Sequence, residues 1–160
     1  MTTLPHILHE RRKDRKKTTG EDFTPLPLVN EIIDRLSKES NNSVWQKDKT
    51  FIDPAAGNGN FLIEVLRRKL DLKHDPTTAL STIYGTELMR DNVEECRERL
   101  LNVLKERNIK ITREMIETVF TNIICTPLYK YPRGSLDYDF SFDGKNLNKN
   151  TINEWFERFS

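Results

Sequence analysis

Two rhythms of apolar positions run along the middle of this 160-residue chain. Leu28, Val29, Ile32, Ile33 and Leu36 recur at helical spacing and predict a helix over residues 26–38. Residues 39–49 are polar and read as a linker, and residues 50–53 as a short strand. A helix over 61–70, a strand over 82–87 and a helix over 91–107 follow, the last with Val93, Cys96, Leu100 and Leu104 on one stripe. Asp75-Pro76 marks a turn or the start of a short extra helix between them. Beyond it, a helix capped by Thr112 and carrying Met115, Ile116 and Val119 leads into a strand over 122–125. Leu136 to Phe142 alternates as a fourth strand and runs into the turn Asp143-Gly144-Lys145-Asn146. Strands that alternate with helices imply an α/β fold with a mostly parallel sheet and right-handed crossovers.

The last predicted helix, residues 151–159, opens with Thr151-x-x-Glu154, a capping box, and concentrates Trp155, Phe156 and Phe159 on one face. That face has two destinations. It packs on the domain's own sheet, or it joins a sheet edge left open by about four strands in docking another chain.

Composition sharpens this outline. With 36% hydrophobic and 32% charged residues the chain has enough for one lean core, and its net charge of +1 supplies no global field for a polyanion. The charge is local: Arg11, Arg12, Lys13, Arg15, Lys16 and Lys17 put six cations into seven residues. Such a block is a solvated arm, a phosphate-contacting arm or an address signal. The expected organisation is a basic disordered arm over 1–18 and a single domain over 19–160. Cys96 and Cys125 both read as buried small hydrophobes in a reducing compartment. His6, His9 and His74 lie in polar segments expected to be exposed and without metal-ligand spacing, so no metal site is expected. No apolar run approaches the ~18 residues of a membrane span, which points to a soluble cytoplasmic protein without a membrane partner.

The chemistry sits where the first strand stops. Asp53-Pro54-Ala55-Ala56-Gly57-Asn58-Gly59-Asn60-Phe61-Leu62 follows Phe51-Ile52 directly. Pro54 has no N–H to continue a ladder, and the two glycines permit positive φ and a close backbone approach to a ligand. The helix that follows points its first amides at the same place. Taken alone, the glycine pair reads by default as an ordinary strand-to-helix turn.

The full string closely resembles the S-adenosylmethionine (SAM) loop of the adenine-N6 DNA methyltransferases, roughly Asp-Pro-x-x-Gly-x-Gly-x-Phe-Leu. Two more segments resemble that family in the right order: Gly20-Glu21-Asp22-Phe23-Thr24-Pro25 upstream, and Thr82 to Leu88 downstream, ending in the acid Glu87. The resemblance implies a Rossmann-like, three-layer SAM-methyltransferase fold with fewer strands than the family's seven. It also implies SAM as cofactor, held by Phe23, Thr24, Pro25, Asp53, Pro54, Ala55, Gly57, Gly59, Phe61 and Glu87. Phe23, Thr24 and Pro25 would meet the methionine end, and Glu87 the ribose hydroxyls. Valine at Gly57 or Gly59 is expected to remove cofactor binding and spare the fold.

The chain departs from the family in two places. None of its seven prolines are adjacent, so the (Asn/Asp)-Pro-Pro-(Tyr/Phe) base clamp is absent and no catalytic residue can be named. Pro127 stands near the position of an Asp that bonds the cofactor's adenine. Two functions follow. One is a minimal or split DNA adenine methyltransferase that needs a homo-oligomer, a second methyltransferase subunit or a target-recognition subunit. The other is a methyltransferase-derived module that acts by binding nucleic acid or protein.

Overall fold

The computed structural model describes residues 23–125 and 147–160. In chain order its elements are α1 (Leu26–Glu39), a 3₁₀ turn (Ser43–Trp45), β1 (Phe51–Asp53), α2 (Asn60–Asp71), α3 (Pro76–Ser81), β2 (Ile83–Glu87), α4 (Arg90–Glu106), α5 (Arg113–Asn122), β3 (Ile123–Cys125) and α6 (Lys149–Phe159). The three strands form a parallel sheet in the order β1-β2-β3. Phe51 faces Ile83 and Asp53 faces Gly85 in one register; Gly85 faces Ile123 and Glu87 faces Cys125 in the other. The result is a mixed α/β domain, compatible with a methyltransferase-like fold.

Each helix boundary has a local cause. Asp75 caps α3 by accepting from the Thr78 N–H, with Pro76 in the first turn; Thr112 caps α5 by accepting from the Met115 N–H. Asn41 and Asn42, both at positive φ, stop α1. The core is the meeting of Leu62, Ile63 and Leu66 from α2 with Cys96, Leu100 and Leu104 from α4, over Ile83 and Ile123 of the sheet. Gly85 lets α2 come this close, because a Cβ there would lie 2.8 Å from Leu62 and 3.1 Å from Ala56.

Lys69 is a charged member of this interior. Its Nζ donates to the Lys49 carbonyl at 2.9 Å and to Thr82 Oγ1 at 2.6 Å, and lies 5.2 Å from the Phe51 ring centre. Burial brings its ammonium down from 10.5 to about 8.

Several expectations need correction. Residues 39–49 hold the 3₁₀ turn, which buries Trp45 against Phe51 with ring centres 5.3 Å apart; Trp45 Nε1 donates to Ser37 Oγ at 2.8 Å. Pro25 is the N-cap residue of α1, without a side-chain bond. Thr151 does not cap α6: the helix starts earlier, and Asn148 Oδ1 accepts from the Asn150 and Thr151 N–H groups. Cys125 is exposed, because it ends β3 at the open end of the sheet, where its thiol donates to the Leu88 carbonyl. His74 is half-buried, since it folds back beneath α2.

The aromatic face of α6 packs on its own domain. Trp155 stands edge-on to Phe120 of α5 at 4.9 Å between ring centres and stacks on Phe159 at 5.7 Å, while Ile152 and Phe159 are buried. Arg158 pairs with Glu98 of α4. These aromatics thus pack on helix α5 of their own domain, with Trp155 and Phe156 half-buried there. The apolar exposure lies instead at the β1 edge, where Ile52 is 47%, Ile32 43% and Leu36 40% exposed. These residues line a groove of about 270 Å³ with Phe61 and Val65. The basic arm, Thr19 to Asp22, Pro127 and the fourth-strand candidate Leu136 to Phe142 fall outside the described residues, as do His6 and His9.

Candidate cofactor site

At the end of β1 the chain turns immediately, with Asp53 Oδ1 accepting the Ala55 N–H at 3.0 Å. Thr86, fully buried near the end of β2, fixes this loop twice. Its Oγ1 donates to the Pro54 carbonyl at 2.7 Å, and its own carbonyl accepts from the Ala56 N–H at 2.9 Å. The loop is thus anchored to the neighbouring strand before it reaches the glycines.

Gly57 (φ +56°) and Gly59 (φ +95°) both need the left-handed region, but they serve different surfaces. A Cβ on Gly57 would lie 2.9 Å from the Phe23 ring, so the missing side chain lets Phe23 close one wall of the cleft. A Cβ on Gly59 would lie 2.6 Å from Cys96 Sγ, so this glycine seats the loop on α4. Valine at Gly59 should therefore damage the fold rather than spare it, because the new side chain would drive into the core. Cys96 has its thiol pushed up to about 12 by burial and is inert packing there.

Phe23, Thr24, Asp53, Ala55, Gly57 and Phe61 come together with Ala56, Asn58 and Asn60 around a cleft of about 260 Å³. That is slightly below the usual ~300–1,000 Å³ of small-molecule sites and suits one end of an elongated ligand. Pro25 caps α1 just beyond it, and Pro54 faces Thr86 through its carbonyl. Glu87 stands at the end of the adjacent strand β2, where Oε1 accepts from the Leu88 N–H at 2.7 Å and Oε2 from Asn92 Nδ2 at 3.0 Å. Each oxygen keeps a lone pair for a further donor. A larger hollow of about 780 Å³ lies at the other end of α2, lined by Trp45, Arg68, Asp71 and His74. Its arginine is already committed to Asp34 and Glu64, so it offers no comparable set of convergent groups.

Desolvation raises the pKa of the Asp53 carboxyl above its ordinary value, against the lowering effect of the Ala55 N–H. A positively charged ligand group would relieve that cost.

Sequence reasoning missed four supporting residues. Asn92 orients Glu87, Thr86 anchors the loop, and Asn60 and Arg99 hold its far side: Arg99 Nη1 donates to the Asn58 carbonyl and to Asn60 Oδ1 at 2.9 and 2.8 Å. No pattern in the sequence marks them: Thr86 and Asn92 are polar residues whose full burial only the structure shows.

The described residues combine an open parallel sheet with a glycine loop at one strand end and an oriented carboxylate at the next, at the carboxyl ends of the strands where open α/β sheets generally take their ligands. The N-6 DNA methylase family model matches residues 5–121, and the chain belongs to that family. No solved structure matches it. Family membership gives the domain a methyltransferase-like function, with DNA as the family's substrate and SAM as the cofactor it generally uses.

Proposed function

We propose that this chain is the SAM-binding part of a DNA adenine-N6 methyltransferase with a Rossmann-like sheet, and that it relies on another chain for the base clamp. The observation that carries the reading is the pair of carboxylates, Asp53 and Glu87, at the ends of neighbouring parallel strands on either side of a glycine gap. Glu87, already oriented by Leu88 and Asn92, suits a ribose diol, which needs two acceptors at once. The Asp53 carboxylate and the first amides of α2, whose N-cap Gly59 makes no side-chain bond, suit the ammonium and carboxylate of an amino acid. SAM, when bound, supplies an electrophilic methyl carbon on a positively charged sulfur.

The chain's own residues bind and orient. Phe23 and Gly57 close the cleft wall, Asp53 contributes negative potential beside the positively charged centre, and Glu87 fixes the nucleoside end. Positioning of the acceptor nitrogen, the main demand of such a transfer, has no residue here because the Pro-Pro motif is absent. The isolated chain is therefore expected to bind SAM without methylating duplex or single-stranded DNA. Radiolabel transfer to DNA that scales with protein and is lost in Asp53→Ala would overturn the partner requirement.

The apolar groove at the β1 edge favours a second reading, a module that works by association. Ile32, Leu36 and Ile52 present apolar surface beside a strand paired on one side among the described residues. A partner polypeptide that lays a strand along β1 would cover all three. Ile52→Lys should then abolish complex formation in light scattering or pull-down while leaving SAM affinity unchanged; an unaltered complex would refute this placement.

A further inference from the structure

Asn60, the first residue of α2, joins two pieces of chain that are far apart in sequence. Its Nδ2 donates to the Thr24 carbonyl at 2.8 Å, and its Oδ1 accepts from Arg99 Nη1 at 2.8 Å. The same Arg99 nitrogen donates to the Asn58 carbonyl at 2.9 Å. One amide therefore links the Phe23–Thr24 wall to the glycine loop and, through Arg99, to α4. It uses its donor and its acceptor at once, so neither a carboxylate nor an alkyl group can replace it.

The wall it holds bounds one end of the ligand space. Glu87 lies at the end of β2 and is not part of the 260 Å³ cleft, whereas Phe23, Thr24 and Asn60 are. On the reading above, a ligand whose ribose meets Glu87 would send one of the two groups on that ribose, the amino-acid end, along the glycine loop towards Thr24.

We infer that Asn60 is a positioning residue that, through Thr24, sets affinity for the amino-acid end of the cofactor and leaves affinity for the nucleoside end unchanged. The inference rests on the SAM reading above. Asn60→Asp is the sharpest perturbation: Arg99 keeps its acceptor, while Thr24 O loses its donor and faces a carboxylate. Asn60→Ala is the second variant, since alanine suits a first helical turn and adds no charge.

The test is calorimetric titration of the wild-type chain and both variants with SAM and with 5′-methylthioadenosine, which has the nucleoside and the methylated sulfur but no amino acid. Thermal melts accompany each titration. The expected result is SAM affinity about tenfold weaker in both variants, the scale of one lost hydrogen bond. Methylthioadenosine affinity should stay within about twofold of wild type, with little change in melting temperature. Equal loss of both ligands, or no loss of SAM affinity in either variant, refutes the role of Asn60. A wild-type chain that binds neither ligand refutes the cofactor reading itself and this inference with it.

Discussion

Replacing Gly59 with alanine should damage the fold before it damages any binding site. The residue sits at φ +95°, ψ 18°, where an L side chain costs about 1–2 kcal/mol. The added methyl would also lie 2.6 Å from Cys96 Sγ and 3.3 Å from its Cβ, against the fully buried middle of α4. Overpacking of this kind costs about 1–3 kcal/mol, giving a total of about 2–5 kcal/mol. The steric part can be isolated. In a Cys96→Ala background the sulfur is gone and only the contacts to Cβ at 3.3 Å and Cα at 3.4 Å remain, so Gly59→Ala should there cost little beyond its backbone term. Urea unfolding followed by far-UV circular dichroism on the four members of this cycle gives the coupling directly. The expected coupling is about 1–3 kcal/mol in favour of the double variant. Additivity within about 0.5 kcal/mol, or a neutral Gly59→Ala, would show that the glycine is not there to make room for Cys96.

Other expectations follow from the same packing. Lys69 is held at about 8 in the fold against 10.5 when free, so the folded state binds fewer protons between those values and stability rises with pH through that window. Its share is about 1 kcal/mol between pH 8 and 9, read as a rise in urea midpoint that Lys69→Met should lack; equal slopes in both proteins would contradict the assignment. Trp155→Ala, which removes the ring between Phe120 and Phe159, should destabilise the chain by about 2 kcal/mol without changing its oligomeric state. A variant of wild-type stability that alters assembly would return α6 to the role of a docking surface.

Much of the scaffold was legible in the sequence because its signals are local. The stripe Val93, Cys96, Leu100, Leu104 and the caps at Asp75 and Thr112 act within one turn of the residues that show them. The glycine loop was legible for the same reason, since its conformation is set by its own φ angles. What escaped was everything decided across distance. Trp45 hides in a polar stretch because its partner Phe51 lies across a turn, and Ser37 satisfies its indole nitrogen from α1. The exposure of Leu28, Ile32 and Leu36 could not be read from their helical spacing: the stripe is wider than the face that meets α2, and only Val29 and Ile33 are buried. Thr86 and Asn92 support the loop and the acid through side-chain bonds that no periodicity encodes.

If Glu87 and the glycine loop form one SAM site, calorimetric titration of SAM into the wild-type chain, Glu87→Ala and Gly57→Val will show it. The wild type should bind SAM at a single site. Glu87→Ala should weaken that binding by about 100-fold or more through the loss of two charge-assisted hydrogen bonds, and Gly57→Val should abolish it by displacing Phe23. A wild-type chain that gives no binding heat at millimolar SAM, or equal affinity in all three proteins, would contradict a shared site.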